Sequence, residues 1–412
     1  MDDFIPFHRP SIGRRERAAV VEVLDSGWLT TGERTRTFEQ RFAAFVGTSH
    51  AVAVNSATAA LHLAFEGIGV ADAAEVVVPT YTFAASAETV LYLRARPVLV
   101  DVEERTLNAD PAAVEAAITS RTAAVEVVHV AGLPADLPGI FQALEAAAAR
   151  QYRAAPPVVE DAAHAFPTPI GSLGGRYAGT IGRAGAYSFY ATKTMTTGEG
   201  GMLVTDDATL ADRARTMRLH GISRDAWNRY SSSGSWYYEI EAAGYKDNPT
   251  DLASALGLVQ LERAHALKAA RTAIATRYFD ALGDVAAAGR ILLPEPGVSG
   301  EHAWHLFVIR LIDAAPGEID EALPGVSRLP PPLRPLASRR AGAIESLLSA
   351  GIGVSVHFIP LHLHPLYRSM GYGPGDFPVA ERAYAGAISL PIWPGMSDAQ
   401  VDRVVAAIRA VI

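Results

Sequence analysis

Lys193 follows Ser188-Phe189-Tyr190-Ala191-Thr192 and precedes a glycine-rich turn, Gly198-Glu199-Gly200-Gly201. A lysine leaving a strand in this way can present its amine for Schiff-base formation with a carbonyl group. The glycines let the backbone approach a bulky planar ligand closely. Taken alone, a lysine is usually a solvated surface residue, so this segment gains meaning only from its companions. The first of these is Val158-Val159-Glu160-Asp161-Ala162-Ala163-His164-Ala165, where a carboxylate closes an apolar run. Ligands of open α/β sheets bind outside the carboxyl ends of strands. Asp161 placed there can keep a pyridine nitrogen protonated, which makes the ring an electron sink. The plainer role is capping the next helix. His164 is placed to reach the phenolic oxygen of the same ring, or is an ordinary core histidine.

Two further segments fit the same ligand. In Val54-Asn55-Ser56-Ala57-Thr58-Ala59-Ala60-Leu61 small residues precede a helix predicted to begin near Thr58. Free N–H groups and the helix dipole make such an end an anion site, with hydroxyls from Ser56 and Thr58; a plain N-cap is the alternative. In Val78-Pro79-Thr80-Tyr81-Thr82-Phe83 an aromatic just past a strand end can cover a flat ring, or simply fill the core. An amine, a ring-nitrogen carboxylate, a phosphate cradle and a stacking aromatic are together what pyridoxal 5′-phosphate needs. No G-x-x-x-x-G-K-[ST] run is present, nor a G-x-G-x-x-G after a strand, which disfavours the corresponding nucleotide sites.

The elements that must position these residues are short β-rich runs alternating with helical stretches. The runs are Glu75–Pro79, Pro97–Asp101, Ala123–Val130, Pro157–Asp161, Gly185–Phe189 and Met202–Thr205. Such alternation predicts an α/β fold with a mainly parallel sheet covered by helices. After about residue 250 the pattern changes. Leu252–Leu282 reads as one Ala-rich helix that Asp251 starts, Trp304–Arg310 and Gly353–Phe358 as strands, Leu329–Pro335 as a loop, and Val401–Ile412 as an amphipathic helix. The expected organisation is a large domain over residues 1–260 and a smaller α+β one over 261–412.

With 412 residues and 49% apolar composition, the chain can bury a large core. Its net charge of −8 argues against a broad nucleic-acid-binding face. It has no cysteine, hence neither disulfides nor thiolate metal sites. The acidic, Pro-broken start does not read as a signal peptide, and no apolar run suggests a membrane span. A cytoplasmic protein is expected.

At this point the sequence resembles the DegT-type sugar aminotransferases, a branch of the fold-type I pyridoxal-phosphate enzymes. The resemblance runs from Gly27-Trp28-Leu29-Thr30-Thr31-Gly32 through Ser389-Leu390-Pro391 and is most specific at Glu160–Ala165 and Ser188–Gly201. It implies that Lys193 carries the Schiff base and serves as general acid and base, while Asp161 pairs with the ring nitrogen. His164 would contact the ring oxygen and Phe83 would stack on the ring. Ala57, Thr58 and Ser188 would hold the phosphate, with Ala57 standing where many relatives have Gly. Gly244-Tyr245-Lys246-Asp247-Asn248-Pro249-Thr250-Asp251 also matches, and implies that Asn248 reaches the phosphate of a neighbouring subunit in a homodimer with shared sites. Ser235-Trp236-Tyr237-Tyr238-Glu239 resembles the branch that aminates C4 of a nucleotide-linked, dTDP-type 4-keto-6-deoxy sugar with L-glutamate as donor, by a ping-pong route.

Other readings stay open. They are amination at C3 or of a cyclitol, and a cofactor-binding regulator without turnover. A related dehydratase would have His in place of Lys193. Arg218, His220 and Arg229 are candidates to meet a diphosphate. His357, His362 and His364 could ligate zinc, but line a sugar-nucleotide entrance more naturally, with His357 the substrate-side candidate; no metal is expected.

Overall fold

The computed structural model describes residues 4–151, 154–222, 237–298, 300–312 and 319–412. Its strands are β1 (His50–Val54), β2 (Glu75–Pro79), β3 (Arg96–Val100), β4 (Thr122–Val128), β5 (Val158–Asp161), β6 (Pro169–Ile170), β7 (Arg176–Tyr177), β8 (Ala184–Ser188), β9 (Gly201–Thr205), β10 (Ile291–Leu292), β11 (Phe307–Leu311) and β12 (Ala387–Leu390). Seven of them form one sheet in the order β1-β9-β8-β5-β4-β2-β3. The block β8-β5-β4-β2-β3 is parallel, and β9 runs antiparallel to both its neighbours. The Val-rich runs become strands because both faces of this sheet are covered. Val76, Val77 and Val78 are all fully buried, as a parallel strand sandwiched between helix layers requires. One apolar cluster fills each face of the sheet. One is built around Phe42, Val127 and Tyr187; the other around Leu61, Val159 and Tyr278, and it extends into the second sheet.

That second sheet is antiparallel, β10-β11-β12. Helices Ala264–Ala287, Arg334–Ser349, Pro378–Gly386 and Asp398–Val411 pack around it.

Several expectations need correction here. Leu252–Leu282 is not one helix: Asp251–Glu262 ends at Arg263 and Ala264–Ala287 follows. Nor does Asp251 cap its own helix, since Thr250 does, accepting from the Ala253 N–H at 3.2 Å. The buried Asp251 carboxylate instead takes up the free donors at the start of helix Glu33–Val46. It accepts from the N–H of Gly32 at 2.8 Å, of Arg34 at 3.1 Å and of Thr35 at 3.0 Å. The Gly27–Gly32 motif is thereby tied to the Gly244–Asp251 motif. Gly353–Phe358 forms no strand; a single bridge joins Ser355 to Ser389. The Pro-rich run ends inside an element, because helix Arg334–Ser349 begins there with Pro335 in its first turn, where a missing N–H costs nothing.

Candidate active site

The parallel strands β5 and β8 end side by side. Asp161 pairs with Ala186, and Ser188 closes β8 one step beyond the next residue. Ser188 in turn lies opposite Gly201 on β9, and Gly201 opposite Val54 on β1. This row leads across the sheet edge to helix Ala57–Gly67, whose N-cap Ser56 accepts from the Ala59 N–H at 3.1 Å. A Cβ on Gly201 would stand 2.4 Å from the carbonyl carbon of Ser56 and 2.6 Å from the nitrogen of Ala57. Only glycine lets the helix start pack this closely on the strand. The helix begins at Ala57, one residue before the sequence signal, with Thr58 in its first turn. The backbone of Ser56 and Ala57 and the end of β8 at Ser188 thus meet at Gly201, beside a helix start whose N–H groups favour an anion.

Lys193 sits in the turn after β8, its N–H donating to the Tyr190 carbonyl at 2.9 Å. Burial lowers its ammonium to about 8; the negative charge of Asp161 opposes this and Arg271 adds to it. The amine nitrogen is 3.4 Å from Nε2 of His305. The His305 ring is tilted against that of His164, with centroids 4.3 Å apart, and His164 stacks on Phe358 at 5.7 Å. Burial holds both imidazoles well below their ordinary pKa, so both are neutral near pH 7. Their Nδ1 atoms have no hydrogen-bond partner among the described residues.

Asp161 is buried at the end of β5. Its Oδ2 accepts from Ser86 Oγ at 3.1 Å and its Oδ1 from the Ala163 N–H at 3.0 Å. Burial nevertheless raises its pKa, against those two bonds and Lys193, so the carboxylate is short of positive charge. Ser86 also bonds Thr82 Oγ1 at 2.8 Å. Phe83 precedes the helix Ala84–Tyr92 and is 61% exposed, with its ring 6.3 Å from that of Phe358.

Beside Lys193 a cavity of about 240 Å³ is lined by Phe7, His8, Tyr190, Thr192, His305 and His357. His357 bonds Ser389 Oγ through Nδ1 at 2.9 Å and stacks on Phe7 at 5.4 Å. His362 lies elsewhere, between Thr80 Oγ1 and Glu381 Oε1 at 2.8 Å each. Among the described residues no three His, Cys, Asp or Glu side chains are grouped to hold a metal. Asn248 lines a different cavity of about 550 Å³ with Trp28, Arg36, His50 and Arg218. Asn248 donates to Thr31 Oγ1 at 2.6 Å and accepts from Lys246 Nζ at 2.6 Å. Arg218 is engaged with Glu39 and with the Ala53 carbonyl at 2.6 Å. His220 is exposed. Arg229, Ser235 and Trp236 lie outside the described residues.

Sequence reasoning missed His305, Ser86 and Arg271. His305 looks like one polar interruption of an apolar run, yet it is the nearest partner of the Lys193 amine. Arg271 is fully buried and donates to the carbonyls of Thr192 at 3.1 Å, Trp304 at 3.2 Å, His305 at 3.3 Å and Ile392 at 2.7 Å. It ties the turn of Lys193 to the segment carrying His305.

The family model of the DegT/DnrJ/EryC1/StrS aminotransferases matches residues 10–323 and 332–409. The spore coat polysaccharide biosynthesis protein SpsC of Bacillus subtilis strain 168 is 45% identical over 410 residues, 99% of this chain and 97% of that protein. The putative sugar aminotransferase Spr1654 of Streptococcus pneumoniae, solved in its PLP form, aligns with a TM-score of 0.86 at 30% identity, over 99% of this chain and 98% of that one. The aminotransferase TlmJ of Streptoalloteichus hindustanus aligns with a TM-score of 0.83 at 32% identity, over 99% and 98% of the two chains.

Proposed function

The chain belongs to the DegT/DnrJ/EryC1/StrS aminotransferase family, and from that premise we propose that it transfers the amino group of L-glutamate to C4 of a nucleotide-linked 4-keto-6-deoxy sugar, of dTDP type, as a homodimer. Its cofactor is pyridoxal 5′-phosphate, and the residues present fit that group. The cradle of Ser56, Ala57, Thr58 and Ser188, kept open by Gly201, suits a phosphate. The Asp161 carboxylate, short of positive charge, suits a protonated ring nitrogen. When bound, pyridoxal phosphate supplies a carbonyl group that exchanges amines and a cationic ring that takes up an electron pair.

The chain's own residues then do the following. Lys193, with its ammonium near 8, presents a substantial neutral fraction that can bond the cofactor and, once free, move a proton between the α-carbon of the amino donor and the cofactor. Asp161 holds the proton at the ring nitrogen, which stabilises charge as it develops on carbon. The neutral His305, with Nε2 3.4 Å from the amine, fixes its direction. His164, between the tilted His305 ring and Phe358, would contact the ring oxygen. Phe83 would cover a ring face, and His357, which lines the cavity beside His305, would meet the substrate. Asn248 serves the phosphate of the neighbouring subunit.

The observation that carries this is the desolvated amine of half-buried Lys193 beside the strand ends that bear Asp161 and Ser188. Incubation with glutamate and a panel of nucleotide 3-keto and 4-keto sugars, with products identified by mass and NMR, tests it. A 4-amino sugar together with 2-oxoglutarate is expected; amination at C3 alone or none at all would refute the C4 assignment.

A further inference from the structure

Glu126 stands in the middle of β4, fully buried, and neither of its carboxyl oxygens has a hydrogen-bond partner among the described residues. Its register is informative. Glu126 pairs with Val159 and Val128 pairs with Asp161 in a parallel ladder. Paired residues share a face and side chains alternate, so Glu126 and Asp161 lie on one face as diagonal neighbours. Ser86 comes down on that face from helix Ala84–Tyr92. Tyr367, from helix Pro365–Arg368, is close enough to feel the charge of Glu126, and its hydroxyl likewise has no partner among the described residues.

Glu160, next to Asp161 on the opposite face, shows what a charged buried carboxylate looks like. It is met by His129 Nε2 at 2.9 Å and by the N–H groups of Gly179 at 2.8 Å, Ile181 at 2.5 Å and Gly182 at 2.6 Å. Glu126 has only the Ser86 hydroxyl near it, and that donates to Asp161. An ionised carboxylate without partners is far more costly to bury than a neutral acid, and two carboxylates in one dry place do not both ionise. Asp161 has two donors and a nearby cation, so the charge belongs there.

We propose, on the cofactor assignment above, that Glu126 is a positioning residue for Asp161: a neutral acid that keeps the proton of the pair and directs it into the Ser86–Asp161 network, so that the single negative charge stays at the ring-nitrogen position. The groups facing Glu126 are Asp161, Ser86 and Tyr367. A buried neutral acid has one hydroxyl to donate; Tyr367 has a hydroxyl of its own to donate, whereas Asp161 carries the negative charge that such a donor stabilises, directly or through Ser86.

The test compares wild type with Glu126→Gln and Glu126→Val. Infrared difference spectra of the cofactor-free proteins at neutral pH are expected to show a protonated-acid carbonyl band in wild type that Glu126→Gln lacks. In proteins loaded with pyridoxal phosphate, Glu126→Gln keeps the pH midpoint of the visible band, because one neutral donor replaces another. Glu126→Val raises that midpoint by about one unit, because a weakened Asp161 anion supports the ring proton less well. A carboxylate band in the difference spectrum, or a midpoint lowered by Glu126→Gln, would show Glu126 to be charged and overturn the proposal. An unchanged midpoint in Glu126→Val, with only stability altered, would overturn it too. If the wild-type protein takes up no cofactor, the assignment above fails, and the infrared result on the free protein still decides where the proton sits.

Discussion

Lys193 and Asp161 are set apart by what surrounds them. Burial lowers the Lys193 ammonium to about 8, while a solvated lysine keeps its proton to far higher pH. Only the neutral amine attacks a carbonyl. Covalent capture of pyridoxal phosphate by the cofactor-free protein is therefore expected to quicken as pH rises and to level off above about 8. Stopped-flow absorbance across pH 6–10 checks this; a rate still climbing at pH 10 would mean an ordinary solvated lysine. Asp161→Asn keeps the Ser86 and Ala163 neighbourhood but cannot hold a ring proton by charge. Its half-reaction with glutamate should slow by roughly 10²–10³-fold, the scale of losing one electrostatic partner, while single-turnover rates near wild type would remove Asp161 from that role. The place of Asp161 at a strand end and of Lys193 in the turn after a strand was legible, because apolar runs stop just before each. His305 was not, since its meaning arises only where a segment from residue 303 onward meets Ala131 and Gly132 through backbone hydrogen bonds.

At the scale of elements, the site exists because strand ends and one helix start converge, and Gly201 is where they press closest. Gly201→Ala puts a methyl group against the backbone of Ser56 and Ala57. The helix start must shift, and affinity for pyridoxal phosphate should fall at least about tenfold, or about 1.4 kcal/mol; equilibrium dialysis measures it, and unchanged affinity would mean that the cradle is elsewhere. The parallel core strands were legible from their Val-rich runs. The antiparallel direction of β9 was not, because Met202–Thr205 is apolar whichever way it runs. The break at Arg263 was hidden in an Ala-rich stretch with neither Gly nor Pro at the joint. The run 353–358 alternates like a strand but meets β12 through one bridge only.

For the whole molecule, the resemblance made the family legible across nearly the full length, whereas the C4 reading rests on the short stretch 235–239, whose first two residues lie outside the described residues. The proposed homodimer with shared sites makes a further prediction. Lys193→Ala and Asn248→Ala proteins, each deficient alone, should regain activity when mixed and reassociated, because a mixed dimer has one site with both residues intact. Random pairing gives about a quarter of wild-type activity; no recovery, with mixed dimers verified by native mass spectrometry, would place both residues in one chain's site. The most direct measurement concerns the covalent bond itself. The protein is saturated with pyridoxal phosphate, reduced with borohydride, digested and mapped by mass spectrometry. A pyridoxyl group on Lys193 at near-stoichiometric yield is the predicted result, and a label on another lysine, or none despite full occupancy, would contradict the account.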